Sequence, residues 1–369
     1  MKKTTGLTTD ISMLSKEISE LSREITGCKS INIMEVCGTH TMEIAKNGIA
    51  QIMPEKIKLI SGPGCPVCVT PVRDIDLVLE IINSYDLTTF TFGDMLRVPG
   101  TKSSLDIEKS KGKKIKICYS PLDSLEYAGK NPSKLILFLA IGFETTIPLT
   151  AVIAKRALEK NLQNFFIFNT HKIIPPALEA LLDDREIKID GLILPGHVSA
   201  IIGAKPYEFI PYKYRIPCVI GGFEPYDILI SIRNILIQTK FNTPKVEIEY
   251  KRVVKEEGNP AAVSEIYNVF EICDSIWRGI GNIKGSGLKF KEKYRNLDAR
   301  IKFPIKKITS KEHPGCDCGL VLKGIKKPYG CKLFLKVCSP DNPIGPCMVS
   351  SEGTCAAYFK YHKYNYTKN

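Results

Sequence analysis

Lys134-Leu-Ile-Leu-Phe-Leu-Ala-Ile141, running straight into Gly142-Phe-Glu-Thr-Thr146, reads as a strand, a turn and the start of a helix. From Leu135 onward the run is apolar, whereas a strand with one wet face alternates, so both of its faces must be covered. The same grammar recurs at Ile31 to Val36, Ile57 to Ile60, Thr88 to Phe92, Phe165 to Asn169, Gly191 to Leu194 and Cys218 to Ile220. Around these runs, apolar residues at three and four spacing predict helices over Asp10 to Thr26, Thr39 to Ile52, Arg73 to Ser84, Ile147 to Lys160, Pro175 to Asp183 and Pro225 to Gln238. Strands alternating with helices form βαβ units, so the fold class is α/β with Rossmann-like parallel sheets.

A chain of 369 residues, 44% of them apolar, has material for two or three cores. The polar stretch Ser120 to Ser133, with Pro121, Gly129 and Pro132, separates two βα series of similar length. A boundary there gives a first α/β domain over residues 1–126 and a second over 127–242, facing each other across a cleft. Residues 243–369 form a third part. It opens with a charged strand-like run, Val246 to Val254, and a helix entered at Asn259-Pro260, a good cap followed by proline at the first helical position. After Gly285 glycine, proline and cysteine dominate. Such an irregular tail is held better by a metal cluster than by apolar burial alone.

The formal charge of +13 and pI near 9.0 would suit a polyanion. Lys and Arg are nevertheless interspersed with Asp and Glu. The nearest basic runs are Lys111, Lys113, Lys114 and Lys116, and Lys302, Lys306, Lys307 and Lys311. No nucleic-acid-binding motif accompanies them, so the charge reads as a solvated surface. The most apolar stretch, Leu135 to Phe143, falls far short of the roughly 20 residues that span a bilayer. Met-Lys-Lys is followed by Thr, Gly, Asp and Ser instead of an apolar leader, so a cytoplasmic location is expected. In that compartment 13 cysteines point to metal ligation or redox chemistry in place of a disulfide framework. Cys28, Cys118, Cys218 and Cys273 stand alone and read as structural.

The chemically capable residues cluster in the turns after the expected strands. Cys37-Gly-Thr-His40 follows the first, Gly62-Pro-Gly-Cys65-Pro-Val-Cys68 the second, Gly93-Asp94 the third and Gly142-Phe-Glu144 the fourth. Asn169-Thr-His171, Pro195-Gly-His197 and Gly221-Gly-Phe-Glu224 close the later ones. Ligands bind outside the carboxyl ends of strands in open α/β sheets, which makes these turns the candidate site. Cys65 and Cys68 sit just before a helix, where the dipole lowers thiol pKa and lets a C-x-x-C pair cycle between dithiol and disulfide; half of a zinc site is the competing reading. Cys37, at another helix start beside His40, offers a soft thiolate suited to low-valent iron, or packs as a small hydrophobe. Glu144 acts as an acid or base if burial raises its pKa, or caps a helix beside Thr145 and Thr146. His171 and His197 read equally as site residues or satisfied core histidines.

Cys316, Cys318, Cys331, Cys338, Cys347 and Cys355 place six thiols within 40 residues. Structural zinc prefers close C-x-x-C pairs, and these uneven, wide intervals favour an iron-sulfur cluster.

Seven motifs in order, Cys37-Gly-Thr-His40, Gly62-Pro-Gly-Cys-Pro-Val-Cys68, Gly142-Phe-Glu-Thr-Thr146, Pro195-Gly-His-Val-Ser199, Gly221-Gly-Phe-Glu-Pro225, Trp277-Arg-Gly-Ile-Gly281 and Cys347-Met-Val-Ser-Ser-Glu-Gly353, closely resemble the HypD family of nickel-iron hydrogenase maturation proteins. The resemblance runs from about residue 30 to residue 361. It implies a scaffold on which iron acquires two cyanides and one carbon monoxide, shared with a small HypC-type partner. HypE with HypF supplies cyanide, and the hydrogenase large subunit receives the Fe(CN)2CO fragment. Carried onto this chain, Cys37 is the iron ligand, Cys65 and Cys68 the adjacent thiol pair, and His40 and Glu144 cleft residues. The family's [4Fe-4S] spacing of 14, 6 and 16 intervening residues falls on Cys316, Cys331, Cys338 and Cys355. Cys318 and Cys347 are left as a second thiol pair between cluster and cleft. Hydrogen bonds from backbone amides or His40 to the cyanide nitrogens would fix the fragment. Whether the chain is an enzyme in the usual sense stays open. Two other classes compete: a cluster-dependent thiol-disulfide oxidoreductase and a zinc-stabilised binding module.

Overall fold

The apolar runs become strands, in a computed structural model that describes residues 2–305 and 308–361; Lys306 and Lys307 of the second basic run lie outside them. The strands are β1 (Ile31–Glu35), β2 (Ile57–Ser61), β3 (Leu87–Thr91), β4 (Ile115–Ile117), β5 (Leu135–Ala140), β6 (Phe165–Asn169), β7 (Gly191–Pro195), β8 (Cys218–Gly221), β9 (Val246–Ile248), β10 (Phe270–Trp277) and β11 (Gly281–Phe290). A five-stranded sheet runs β2-β1-β7-β8-β9 and a four-stranded sheet runs β4-β3-β5-β6. Every pairing within both is parallel. The α/β class and the helices flanking the sheets are as expected, and the tail beyond residue 303 is loop-rich.

The expected division between residues 126 and 127 does not separate the sheets. It cuts across both, because β1 and β2 join β7, β8 and β9 in one while β3 and β4 join β5 and β6 in the other. The chain starts the five-stranded sheet, leaves to build the four-stranded one, and returns. The stretch read as a linker is a crossover helix, Pro121–Lys130. Ser120 and Asp123 close a capping box around its first turn, and Pro121 occupies the first turn, where its missing N–H costs nothing. Likewise β9 lies beyond residue 242 yet completes the five-stranded sheet by pairing with β8.

The largest apolar cluster joins Val36, Leu192 and Ile220 to Leu137, Leu139 and Phe168, and extends to Trp277, Cys318 and Cys347. Residues of both sheets and of the tail thus share one core. β10 and β11 form an antiparallel hairpin that the sequence reading did not anticipate. Its alternation is broken by a register shift between Cys273 and Ser275 and by Gly281, Gly285 and Gly287. The hairpin seals the carboxyl end of β6: Asn169 Nδ2 donates to Leu288 O at 2.8 Å, and Ile173 N to Ser286 O at 3.0 Å. Among the described residues, no helix is long and apolar enough to cross a membrane.

Candidate functional site

Parallel pairing brings the turns after β1 and β2 side by side. A Cβ on Gly64 would lie 2.3 Å from the backbone nitrogen of Cys37, so only glycine allows this approach. Gly38 N donates to Gly64 O at 3.1 Å, which sets Cys65 on the neighbouring turn. Cys37 is the N-cap of the helix Gly38–Lys46, but its thiol makes no capping bond. A carboxyl lies on each side of it. Glu35, buried at the end of β1, accepts from Cys37 N at 3.1 Å through Oε2 and from the Thr41 hydroxyl through Oε1. From the tail, Glu352 Oε1 accepts from Thr39 Oγ1 at 2.8 Å. Gly38 backs directly onto Glu352, since a Cβ there would fall 2.4 Å from the Glu352 Cβ. Two residues earlier, Ser350 Oγ donates to Asp94 Oδ2 at 2.7 Å in the turn after β3. The tail therefore bridges the carboxyl edges of the two sheets.

The expected dipole-activated thiolates are not what this environment makes. Burial, with the Glu352 charge second, pushes the Cys37 thiol up to about 12. Burial likewise pushes Cys68 well above the ordinary thiol range, and raises Glu35 to about 8. Desolvation outweighs the helix-end dipole, because Cys37 is 8% exposed and Cys68 fully buried.

His40 is buried, and burial lowers its pKa to about 4, so the ring is neutral. Its Nε2 lies 2.8 Å from Gly222 O, a pure acceptor, which places the proton on Nε2 and leaves Nδ1 a buried acceptor with no partner among the described residues. His40 therefore has no free donor for a cyanide nitrogen, contrary to expectation. Phe223 stacks on His40 at 4.7 Å and on exposed His197 at 3.9 Å, so both histidines share one ring stack. His171 is a satisfied core residue: Nδ1 lies 3.2 Å from Gly142 O and Nε2 2.9 Å from Thr150 Oγ1. Glu144 caps a helix other than the one expected, accepting from Ile174 N at 2.8 Å. Its Oε2 has no partner among the described residues, and burial raises the carboxyl pKa to about 7. Between the two edges stands fully buried Tyr207, within electrostatic reach of both Glu144 and Cys37.

A line of sulfur leads from this edge into the tail. Cys65 is the N-cap of the short helix Pro66–Val69, and its Sγ accepts from Cys68 N at 3.4 Å. Cys68 interacts with Cys347, whose Sγ lies 2.7 Å from Cys318 Sγ. Cys318 in turn interacts with Cys316. One cavity is lined by Cys316, Cys331, Cys338 and Cys355 together with Cys318 and Cys347. The sequence-expected tail thiols are thus brought together. Ile344 N donates to Cys338 Sγ at 3.4 Å, and Gly345 leaves room for Cys316 Sγ, which would lie 2.6 Å from a Cβ there. Among the described residues no three His, Cys, Asp or Glu side chains are arranged to hold one metal ion. Four thiols ringing an apolar-backed cavity suit a multi-atom cluster better than a single tetrahedral zinc. Cys118 and Cys218 pack in the core, as expected, whereas Cys28 is exposed.

Sequence reasoning gave no role to Glu35, Tyr207, Arg278 or Glu352. Arg278 and Glu352 nevertheless stand within the Trp277–Gly281 and Cys347–Gly353 motifs, and Glu35 closes a mostly apolar strand.

Comparison with known proteins gives a consistent neighbourhood. The HypD family model, described as the hydrogenase formation hypA family, matches residues 10–362. A hydrogenase maturation factor HypD of Rhodobacter capsulatus is 43% identical over 355 residues, covering 94% of each chain. That of Escherichia coli (strain K12) is 41% identical over 354 residues, 96% of this chain and 94% of the relative. That of Rhizobium leguminosarum bv. viciae is 41% identical over 357 residues, 94% and 93% of the two chains.

Proposed function

This chain belongs to the HypD family, and on that premise we propose that it is a maturation scaffold on which, together with a HypC-type partner, the Fe(CN)2CO fragment of nickel-iron hydrogenase is assembled. The iron fragment is its cargo, HypE with HypF its source of cyanide, the large subunit its recipient, and the cytoplasm its place of work. The observation that carries this reading is the run of thiols that starts at Cys65, on the turn beside Cys37, and passes through Cys68, Cys347 and Cys318 to a cavity that Cys316, Cys331, Cys338 and Cys355 also line.

Cys37 is the cargo ligand in this proposal. Its thiol is neutral when free, so iron capture releases one proton, and the thiolate then supplies electron density to low-spin iron(II). Glu35 fixes the backbone that presents it. Backbone amides of the adjoining turns are the donors left for cyanide nitrogens, since His40 has spent its proton on Gly222. The packing of Tyr207, Phe223 and the tail around this edge keeps water away from it.

The thiol path moves a pair of electrons by exchange. Cys347 attacks Sγ of Cys68 in a Cys65–Cys68 disulfide, and its proton passes to the departing Cys65 sulfur. Cys318 then attacks Sγ of Cys347, its proton passes to the departing Cys68 sulfur, and Cys318–Cys347 is left as the disulfide. Two electrons have passed toward Cys37 with no other reactant. A [4Fe-4S] cluster on Cys316, Cys331, Cys338 and Cys355 would supply electrons one at a time beside that pair.

Anaerobic purification with the HypC-type partner, followed by metal analysis and infrared spectroscopy, tests the proposal. It expects cyanide and carbon monoxide stretching bands that Cys37→Ala abolishes. Iron-free protein, or bands indifferent to Cys37, would sink it. The 2.7 Å approach of Cys318 and Cys347 favours one second reading, a thiol-disulfide oxidoreductase. That reading expects turnover on a protein disulfide without low-spin iron.

A further inference from the structure

Trp277-Arg-Gly-Ile-Gly281 turns the chain from β10 into β11, and its arginine points inward. Arg278 is only 5% exposed. Nε and Nη2 both donate to one oxygen, Oε2 of half-exposed Glu312, at 2.9 and 2.6 Å. Nη1 is buried and has no hydrogen-bond partner among the described residues. A buried donor on a charged guanidinium is costly to leave unmatched, so its position suits an anionic acceptor.

The surroundings say which anion. Arg278 N donates to Val69 O at 2.8 Å, one residue past Cys68. The next residue, Gly279, meets Gly319 backbone to backbone, since a Cβ there would lie 2.3 Å from Gly319 Cα, one residue past Cys318. Both approaches pin the backbone of residues 278 and 279 between Cys68 and Cys318, and the charge of the guanidinium acts on Cys316 and Cys318.

We infer that Arg278 is a positioning residue whose free Nη1 is held for an anionic sulfur at the Cys316–Cys318 turn, so that its fixed charge stabilises the reduced form of the centre there. Arginine suits the task because it never loses its charge and its planar fork can bind Glu312 and a sulfur at once. Reduction adds negative charge, and a cation in a low-dielectric site favours the more negative state. Arg278 therefore raises the reduction potential at the cavity relative to one without it, and keeps electrons there until the thiol pair calls for them. The inference rests on the cluster reading above.

The test is a potentiometric titration, followed by electron paramagnetic resonance and visible absorbance, of the full chain reconstituted anaerobically with iron and sulfide. Arg278→Gln is expected to shift the reduced-to-oxidised ratio about tenfold toward oxidised at a given poise, a fall of 59 mV for one electron. Arg278→Lys should recover part of that shift. Glu312→Gln, a half-exposed change that spares the core, should move the midpoint the other way by removing the counter-charge. A midpoint unchanged in Arg278→Gln at wild-type iron and sulfide content overturns the inference. So does a Glu312→Gln midpoint that falls or stays, even if the arginine variants do not fold. Wild-type protein that takes up no iron or sulfide defeats the cluster reading itself, a separate failure read before any variant is made.

Discussion

At the carboxyl edge of the five-stranded sheet, Cys37 has a thiol engaged by no capping bond and His40 an acceptor with no partner among the described residues. At the same edge of the four-stranded sheet, His171 has both nitrogens bonded and Asn169 is tied to the hairpin. The two edges are built alike, from parallel strands that run into glycine-bearing turns. They differ in what covers them. The hairpin of β10 and β11 closes the second edge with backbone hydrogen bonds, whereas the first is met by residues 347–353 of the tail, which bring a sulfur and a carboxyl. Topology thus offers two equivalent places for chemistry, and covering elements decide which is used.

The largest effect expected from this contrast is at Cys37. Cys37→Ala should erase the infrared bands of the captured iron completely while lowering stability by no more than about 1 kcal/mol, a typical value for one modest core change. Bands that persist would mean that the first edge is no more functional than the second.

His171→Ala should show the opposite pattern. It removes one partner each from the Thr150 hydroxyl and the Gly142 carbonyl, which keep Thr146 O and Lys172 N, and it leaves a cavity where the buried ring was, so it should cost about 2–4 kcal/mol in denaturant unfolding. Iron capture by the surviving folded protein should be unchanged. A loss of capture at unaltered stability would make the second edge a working site as well.

The apolar runs revealed the sheets because a strand covered on both faces leaves a continuous signature; Phe165 to Asn169 is bounded as expected. Strand order was hidden because the pairing of β1 with β7 depends on contacts far apart in sequence. The capped helix at Pro121 looked like a linker because its polar residues are spent on its own first turn. Cys37, Cys65 and Cys68 were legible as rare residues in glycine-rich turns. Glu352 was legible as part of the Cys347–Gly353 motif, but its place beside Cys37 was not, since an acid in a polar tail looks like any solvated acid until the fold lays it over Gly38.

Glu144 sharpens the contrast through pH. Its pKa rises from the ordinary 4.5 to about 7 in the fold because burial disfavours the charge. An acid raised in this way keeps its proton when folded, so the stability it contributes is full below 4.5 and is lost as pH rises through 7. Glu144→Gln keeps the acceptor for Ile174 N and has no proton to lose. The variant should gain on wild type between these limits and level off above pH 7 at on the order of 2–3 kcal/mol, read from unfolding midpoints across pH. A constant difference would show that Glu144 is already ionised in the fold.

The smallest effect lies back at the first edge, at Glu352. Its carboxyl raises the Cys37 pKa, second only to burial. Glu352→Gln keeps an oxygen for the Thr39 hydroxyl and removes the charge. The Cys37 pKa should then fall, and since the thiolate fraction well below the pKa rises tenfold for each unit of that fall, alkylation of Cys37 at pH 8 should quicken. A gain of about two- to fivefold, under ~1 kcal/mol, is expected for one screened carboxylate. Mass spectrometry of the Cys37 peptide reads it directly, with buried Cys218, which lies in β8, as the internal control. If both thiols quicken together, the substitution has loosened the packing. If only Cys37 does, the carboxyl that the tail lays over the first edge acts on the thiol through its charge, whereas the second edge is sealed by hydrogen bonds from Asn169, Lys172 and Ile173 to the hairpin.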